Sequence, residues 1–533
     1  LGEIIRINSF SPSLTRSEIQ QRNTITVLIE KYSFMKKSVF QKVLLLLFCG
    51  VLACFSSTAQ SNTSLIDQLK ATGLPLVNIT TVNGELPTCE KIDTAPEGCM
   101  GSTIVNATKV PGRIVITLGD SVLYDSGEYA ENVSGMKIKI RGNTSAYRTH
   151  PSYKIKLQKK ANLLKGSGSK KDKEWALLNS NTSANLRTVM GKQIALLCGI
   201  EWEPQDCYVN LVFNGKYCGD YLLSELVKRS EGRCNVAETG YVIECDPYWW
   251  SEDKGEFSFF HTTHLPYSMA YTFKYPDAEV MTQEQWTYIR DVVYDFEDKM
   301  FNGEPIEEVF DISTMASWFL AHDISGSWDG CGSNIFITKY DNTPNSKLKM
   351  GPLWDFDLDY SKEGWASVHE IPEFYGIPFF SRYETVMAYN DRWQQVRPLI
   401  EARVEAVLDS MRTNWAEAID ASRTILKDSV SKHEPTFAEN EQEVREWFAQ
   451  RLPWLDEAIA NLVSDVTAVD NVEVGTLRTA SVVAYSTSGV LLYQGSEAQF
   501  NQWRKQQKNY TGVAIVRYTS ISGRLVKTEK LVL

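Results

Sequence analysis

The chain is short of positive charge. Its 533 residues carry 55 Lys and Arg against 66 Asp and Glu, for a net charge of −11. That argues against nucleic acid or an anionic membrane as the main partner and leaves any basic patch local. CxxC pairs are also missing, which argues against a structural zinc site despite ten cysteines. Past residue 59 no stretch is long and apolar enough to span a membrane, so no transmembrane helix is expected after a signal is removed. What is present is ordinary globular material, 43% hydrophobic and 23% charged, with length for roughly two to four domains.

The first 59 residues are expected to lie outside the fold. Residues 1–34 lack clear periodicity and read as an upstream mis-start. From Met35 the chain runs MKKSVFQKVLLLLFCGVLACFSSTAQS. A basic start, an apolar run from Val43 to Phe55 and a small-residue site at Ser57-Thr58-Ala59 make a secretory signal peptide, with cleavage after Ala59. A lipoprotein anchored at Cys54 is the alternative. Export would carry the chain to the periplasm, the cell surface or the medium. Eight cysteines then remain: Cys89, Cys99, Cys198, Cys207, Cys218, Cys234, Cys245 and Cys331. In an exported chain disulfides are expected, with Cys89–Cys99 and Cys234–Cys245 as candidate local pairs.

Residues 75–230 read as strand-rich. Leu76–Val82 is a strand ended by Asn83-Gly84, and Ile114–Leu118 a strand ended by Gly119-Asp120. Met136–Ile140 and Tyr153–Leu157 alternate, with Lys137, Lys139, Lys154 and Lys156 on one face and apolar residues on the other. Between them lies Arg141-Gly142-Asn143-Thr144-Ser145. Lys and Arg are the usual partners of phosphate oxygens, so a phosphate cradle and a plain solvated strand face both stay open. A Gly/Ser/Lys-rich loop covers 161–174, followed by the apolar run Trp175–Leu178. Ser183 then caps a helix to Leu197, striped by Leu186, Met190, Ile194 and Leu197. Asn214-Gly215 between apolar runs marks a hairpin that leads into Ser224-Glu225-Leu226.

Residues 231–465 read as mostly helical. Gln283–Phe301, Ser313–Ser325, Asp391–Asn414, Ala416–Leu426 and Glu441–Leu462 carry apolar residues at three and four, and Pro398 and Pro453 are expected to kink or split two of these helices. Residues 470–533 change character again, to short strands and turns, and read as a small all-β sandwich module of about seven strands at most. The order is that of an α+β chain: a bilobal kinase-like domain followed by the β module.

The chemistry concentrates between His322 and Tyr360. Two strand-like runs, Asn334–Ile337 and Leu348–Met350, flank a polar turn, with Asp329 and Asn334 before the hairpin and Asp355, Asp357 and Asp359 after it. A hairpin brings its ends together. An Asp, an Asn five positions on and a second Asp after a hairpin are the parts of a phosphoryl-transfer site. One Asp faces the acceptor hydroxyl while the Asn and the second Asp hold Mg2+ through hard oxygens. The plainer reading is that Asp residues cap turns next to strands.

RGNTS…SYKIKL, WALL…LRTVMGKQIALLCGI, VNLVFNGKYCGDYLLSE, WDGCGSNIFITKY…GPLWDFDLDY and EWFAQRLPWLDEAI, in that order, resemble the CotH kinase family of spore-coat-protein-H-like atypical kinases. The resemblance covers roughly residues 75–465. It implies a protein-kinase-like fold that binds ATP and Mg2+ and phosphorylates protein Ser or Thr. On it, Asp329 looks like the catalytic Asp, Asn334 and Asp355 like the Mg2+ ligands, and Asp357 like an assistant. Arg141 and Lys154 or Lys156 look like phosphate contacts. Glu225, in Ser224-Glu225-Leu226, looks like the hinge beside adenine. Two features depart from it: the helix Ser183–Leu197 holds no Glu to pair with the phosphate-binding Lys, and Asn179–Ser183 holds no Asp. GVLLYQG and GVAIVRYTSISGRLVKTEKLVL resemble the C-terminal sorting domain of Bacteroidetes type 9 secretion. The rival reading is a surface-binding protein on a kinase-like scaffold. A two-carboxylate glycosidase has no support in the spacing. The oligomeric state, the protein substrate and the removal of the last module are not legible.

Overall fold

A computed structural model describes residues 65–99, 101–165, 168–179, 184–251, 255–265, 269–327, 334–356, 359–360, 375–427, 435–470, 481–486, 491–506, 512–519 and 525–532. Leader, signal, Asp329, Cys331 and Asp357 lie outside them. Among the described residues no helix is long and apolar enough to cross a membrane.

The strands of the first half are β1 Leu76–Thr81, β2 Glu90–Ile92, β3 Thr103–Val105, β4 Val110–Leu118, β5 Ser121–Asp125, β6 Met136–Arg141, β7 Ser152–Ala161 and β8 Asp172–Asn179, then β9 Asp206–Phe213 and β10 Lys216–Ser224. β2 and β3 form a small hairpin of their own. The rest make one sheet in the order β1-β9-β10-β8-β7-β6-β4, and β1 also pairs with β4, so seven strands close into a ring with β5 folded onto β4. Alternation explains the closure: Ile138, Ile155, Leu157, Trp175, Leu177, Val209, Leu211 and Leu223 point inward and are buried, which leaves the Lys residues of β6 and β7 on the outer face. The β9–β10 turn is held by Asn214 (φ 48°) and Gly215 (φ 78°), the left-handed pair that a two-residue hairpin needs.

The α+β class holds. Helix α1 (Ala184–Cys198) follows β8, as the apolar stripe predicts. Beside its helices the second half carries a sheet that the sequence did not announce. It opens with a five-stranded sheet in which β11 (Tyr241–Asp246), β12 (Phe259–His261) and β13 (Ala270–Tyr275) are joined by β14 (Ile335–Lys339) and β15 (Leu348–Met350). β11 is buried from Tyr241 to Cys245, and a strand covered on both faces shows no alternation to read. Helices α2 (Gln283–Asn302), α3 (Ile312–Ser325), α4 (Tyr383–Met411), α5 (Glu417–Lys427) and α6 (Phe437–Asp470) complete the unit. Pro398 and Pro453 split neither α4 nor α6, which run through them.

Two further expectations are corrected. Cys89, Cys99, Cys198, Cys207, Cys218, Cys234 and Cys245 are all free thiols. Cys234 and Cys245 belong to separate buried clusters, so nearness in sequence does not bring them together. The C-terminal module is not all-β. Its described residues form one antiparallel sheet of β16 (Ser481–Ser486), β17 (Leu491–Gly495), β18 (Val513–Thr519) and β19 (Leu525–Val532) with helix α7 (Glu497–Gln506). Phe500 fills its core beside Val482, Val516 and Tyr518.

Candidate functional site

Strand register assembles the first wall of the site. Lys139 faces Lys154 across β6–β7, and Lys156 faces Glu174 across β7–β8, so all four share the outer face. Lys154 Nζ lies 3.3 Å from Glu174 Oε2, and Lys156 reaches the other oxygen at 4.0 Å. Lys228, just past β10, touches Glu174 at 3.4 Å and Asp172 at 3.3 Å. Burial draws the Lys154 ammonium down from its ordinary pKa while Glu174 opposes that fall. Burial pushes the Glu174 carboxyl up, but Lys154, Lys228 and Lys156 outweigh it and leave it below the usual range. Glu174 was not singled out from the sequence. It supplies the carboxylate partner of Lys154 that the helix lacks, and the signal for it was its place one strand away in Asp172-Lys173-Glu174-Trp175.

Behind this wall the segment after β10 is pinned by buried charge. Glu225 is fully buried; its carboxylate accepts from Ser169 Oγ at 2.5 Å and Gln205 N at 3.1 Å and lies 3.5 Å from Arg233 Nε. The side chain is committed inside the protein and is not presented to a ligand: a carboxylate with these partners holds the segment to the ring. Arg233 stacks 4.9 Å above Trp175 and donates to the Glu174 carbonyl at 3.1 Å. In front lies an open cleft of about 840 Å³, lined by Lys156, Glu174, Lys228, Arg229, Lys274 and Tyr275 among others.

The expected hairpin forms, but its described residues do not line this cleft, and neither do Arg141 and Lys154. β14 pairs with β15, Ile337 opposite Met350, and Gly351 N donates to Phe336 O at 2.7 Å. That register carries Asn334 and the 353–355 segment to the same end. Asn334 (φ 61°) and Asp355 (φ 67°) both adopt left-handed backbone, a conformation that costs an Asp energy and collects at functional sites. Asp355 is the exposed residue in an otherwise buried run over 351–356. Arg141, at the end of β6, places its guanidinium 5.3 Å over the Trp354 ring. Burial lowers its pKa, and Asp355 and Glu244 oppose the shift. The ring and the hairpin therefore meet where Arg141 lies over Trp354 and beside Asp355. Glu244 is in turn ion-paired with Lys274.

Asn334 and Asp355 are hard oxygen donors that suit Mg2+. Among the described residues no group of three or more His, Cys, Asp or Glu is close enough to hold a metal. Asp359 is buried beside Tyr360 and does not open onto the cleft.

The family model of the CotH kinase protein matches residues 138–455. The match opens in β6, spans the Lys face, α1 and the Asp hairpin, and ends in α6. No curated protein matches the chain.

Proposed function

The chain belongs to the CotH kinase protein family, and from that premise we propose that it is an exported atypical kinase that transfers the γ-phosphoryl group of ATP to Ser or Thr of a protein substrate. The observation that carries the reading is the meeting of Arg141 with Trp354 and Asp355, beside a Lys154 already paired to Glu174. The ring and the helical part with the Asp hairpin would be the two lobes of a kinase, with the ATP phosphates between them where Arg141 meets Trp354 and Asp355. Lys154, oriented by Glu174, and Arg141 would hold phosphate oxygens. Asn334 and Asp355, with Asp357 assisting, would hold Mg2+, which supplies neutralisation of the phosphoryl charge. Asp329 would accept the proton of the attacking hydroxyl as its oxygen bonds to the γ-phosphorus and the bond to ADP breaks. The turn at Ser224-Glu225-Leu226 would border the adenine through its backbone. Export rests on the Met35 signal, and the last module would be the sorting domain.

Calorimetry of ATP binding to the chain and to Asp355→Ala, with and without Mg2+, tests this. Binding by the parent only with metal, and its loss in the variant, is the expected result. If the parent does not bind, the kinase reading fails. The surface-binding alternative, favoured by an α1 that holds no Glu, then takes its place.

A further inference from the structure

Asp355 is presented on a segment fastened on both sides. Before it, the Leu353 N–H donates to Glu203 Oε1 at 2.8 Å, and Glu203 is itself buried. Beyond it, Tyr360 N donates to Ser325 O at 2.9 Å, and the Tyr360 ring packs edge-on against Trp447. Between the two fastenings, Asp359 N donates to Phe356 O at 3.2 Å. Phe356, adjacent to Asp355, is 1% exposed. Its ring lies against the backbone of α1 at Gly191. A Cβ built on Gly191 would sit 2.6 Å from Cγ and 2.7 Å from Cε1 of that ring, and nearer still to Cδ1. Real Cβ contacts are not found so close, so the ring would have to move.

Gly191 has ordinary helical backbone, so no left-handed turn calls for a glycine there. A glycine in mid-helix is unfavourable beside Ala. The close approach of Phe356 is the feature that requires it. The neighbouring Asp355 already holds a left-handed φ of 67°, which persists only where its surroundings over-determine it.

We infer that Gly191 is a positioning residue: it is the seat of Phe356, and through that ring it fixes the Asp355 carboxylate beside Arg141. The inference rests on the proposed use of Asp355 for Mg2+, but the seat itself is a matter of structure. A side chain at position 191 displaces Phe356, and the strain is taken up in the 353–356 segment rather than in the helix.

The test uses the full chain as parent, Gly191→Ala, Phe356→Leu and the double variant. Two readouts are taken. The first is the 19F spectrum of protein labelled with 5-fluorotryptophan, with Trp354 assigned from Trp354→Phe. The second is Mg2+-dependent ATP binding. Gly191→Ala is expected to shift the Trp354 resonance and to weaken binding roughly 10- to 100-fold, the usual loss when a group supporting a metal ligand is disturbed. The double variant, whose smaller Leu leaves room for the methyl, is expected to restore both. A Trp354 resonance unmoved in Gly191→Ala overturns the seat. A shifted resonance that the Leu variant fails to restore overturns it too, since the effect then does not pass through Phe356. If the seat is confirmed but the parent binds no Mg2+ and ATP, the kinase reading has failed and the positioning role falls with it. If the parent binds and Gly191→Ala binds equally well despite the shift, the positioning role is refuted while the kinase reading stands.

Discussion

Glu174→Gln removes one negative charge from between Lys154, Lys156 and Lys228. At 3.3 Å a unit charge pair interacts by about 1 kcal/mol at the dielectric of water and about 5 kcal/mol at the effective dielectric of a protein surface. The Lys154 and Glu174 side chains are 33% and 19% exposed, so solvent discounts the upper figure and about 2 kcal/mol is a fair value for the pair. Burial already lowers the Lys154 pKa, with Glu174 opposing it and Lys139 and Lys228 adding to it. In the variant the opposition is gone and the pKa falls further. A neutral amine cannot pair with phosphate. At low pH Lys154 is charged in both proteins, and losing a nearby acid does not weaken ATP binding. As pH rises, the variant loses its ammonium first. The ratio of variant to parent affinity should therefore fall with pH, by roughly 30-fold for 2 kcal/mol. Calorimetric titrations across the alkaline range measure it. A ratio independent of pH refutes both the charge state argued for Lys154 and its place at the phosphates. In a Lys154→Met background the same substitution should leave the pH dependence untouched.

Three other outcomes follow from the fold. Asn214→Ala should destabilise the chain by about 1–2 kcal/mol, because it puts a Cβ-bearing residue without local hydrogen bonds at a left-handed position and removes the bonds to Thr81 N and Gly84 O. Asn214→Gly should cost less, and equal melting of the two variants would contradict the conformational part. His322 is buried and its pKa is pushed down from 6.5 to about 3 by burial, against the pull of Asp323. The folded state thus prefers the neutral ring, so stability is complete above 6.5 and drops by about 1.4 kcal/mol per pH unit as pH falls towards 3. Urea melts of His322→Leu should show a shallower acid slope than the parent. Finally, the seven described cysteines should be alkylated in denaturant without prior reduction, as free thiols; peptide mass spectra showing any pair among them as a disulfide would reverse that.

Short-range pattern carried much of this structure into view. The alternating Lys strands, the Asn214-Gly215 hairpin, the striped α1 and the Asp hairpin each announce themselves within about thirty residues. Ring closure does not, because β1 pairs with strands that begin at Val110 and Asp206, and nothing local encodes a partner that far away. β11 hid because a doubly buried strand has no polar face. Helix α7 hid because Phe500 and Trp503 stand almost alone among its Gln, Asn and charged residues. At the site, residue types were legible and their commitments were not. Lys154 pairs with Glu174 and Arg141 lies over Trp354, but Glu225 turns inward to Ser169 and Arg233, a fate decided by tertiary burial. Glu174 was overlooked because the pairing of Lys with Glu was sought on a helix.

That displacement changes what α1 is for. A Lys–Glu pair split between a strand and a helix parts when the helix swings. Lys154 and Glu174 stand on adjacent strands of a closed ring, and strand register holds them whatever α1 does. Freed of that duty, α1 carries Lys192, ion-paired to Asp206 at the start of β9, and Gly191, pressed against Phe356. One face of the helix thus ties the ring to itself, and one residue on it abuts the segment that bears Asp355. The charge geometry of the proposed site then has a fixed half and an adjustable half. The Lys face cannot be disarmed by moving a helix, so any shift in the relation between Arg141 and Asp355 has to pass through the 353–360 segment and its fastenings at Glu203, Gly191 and Ser325.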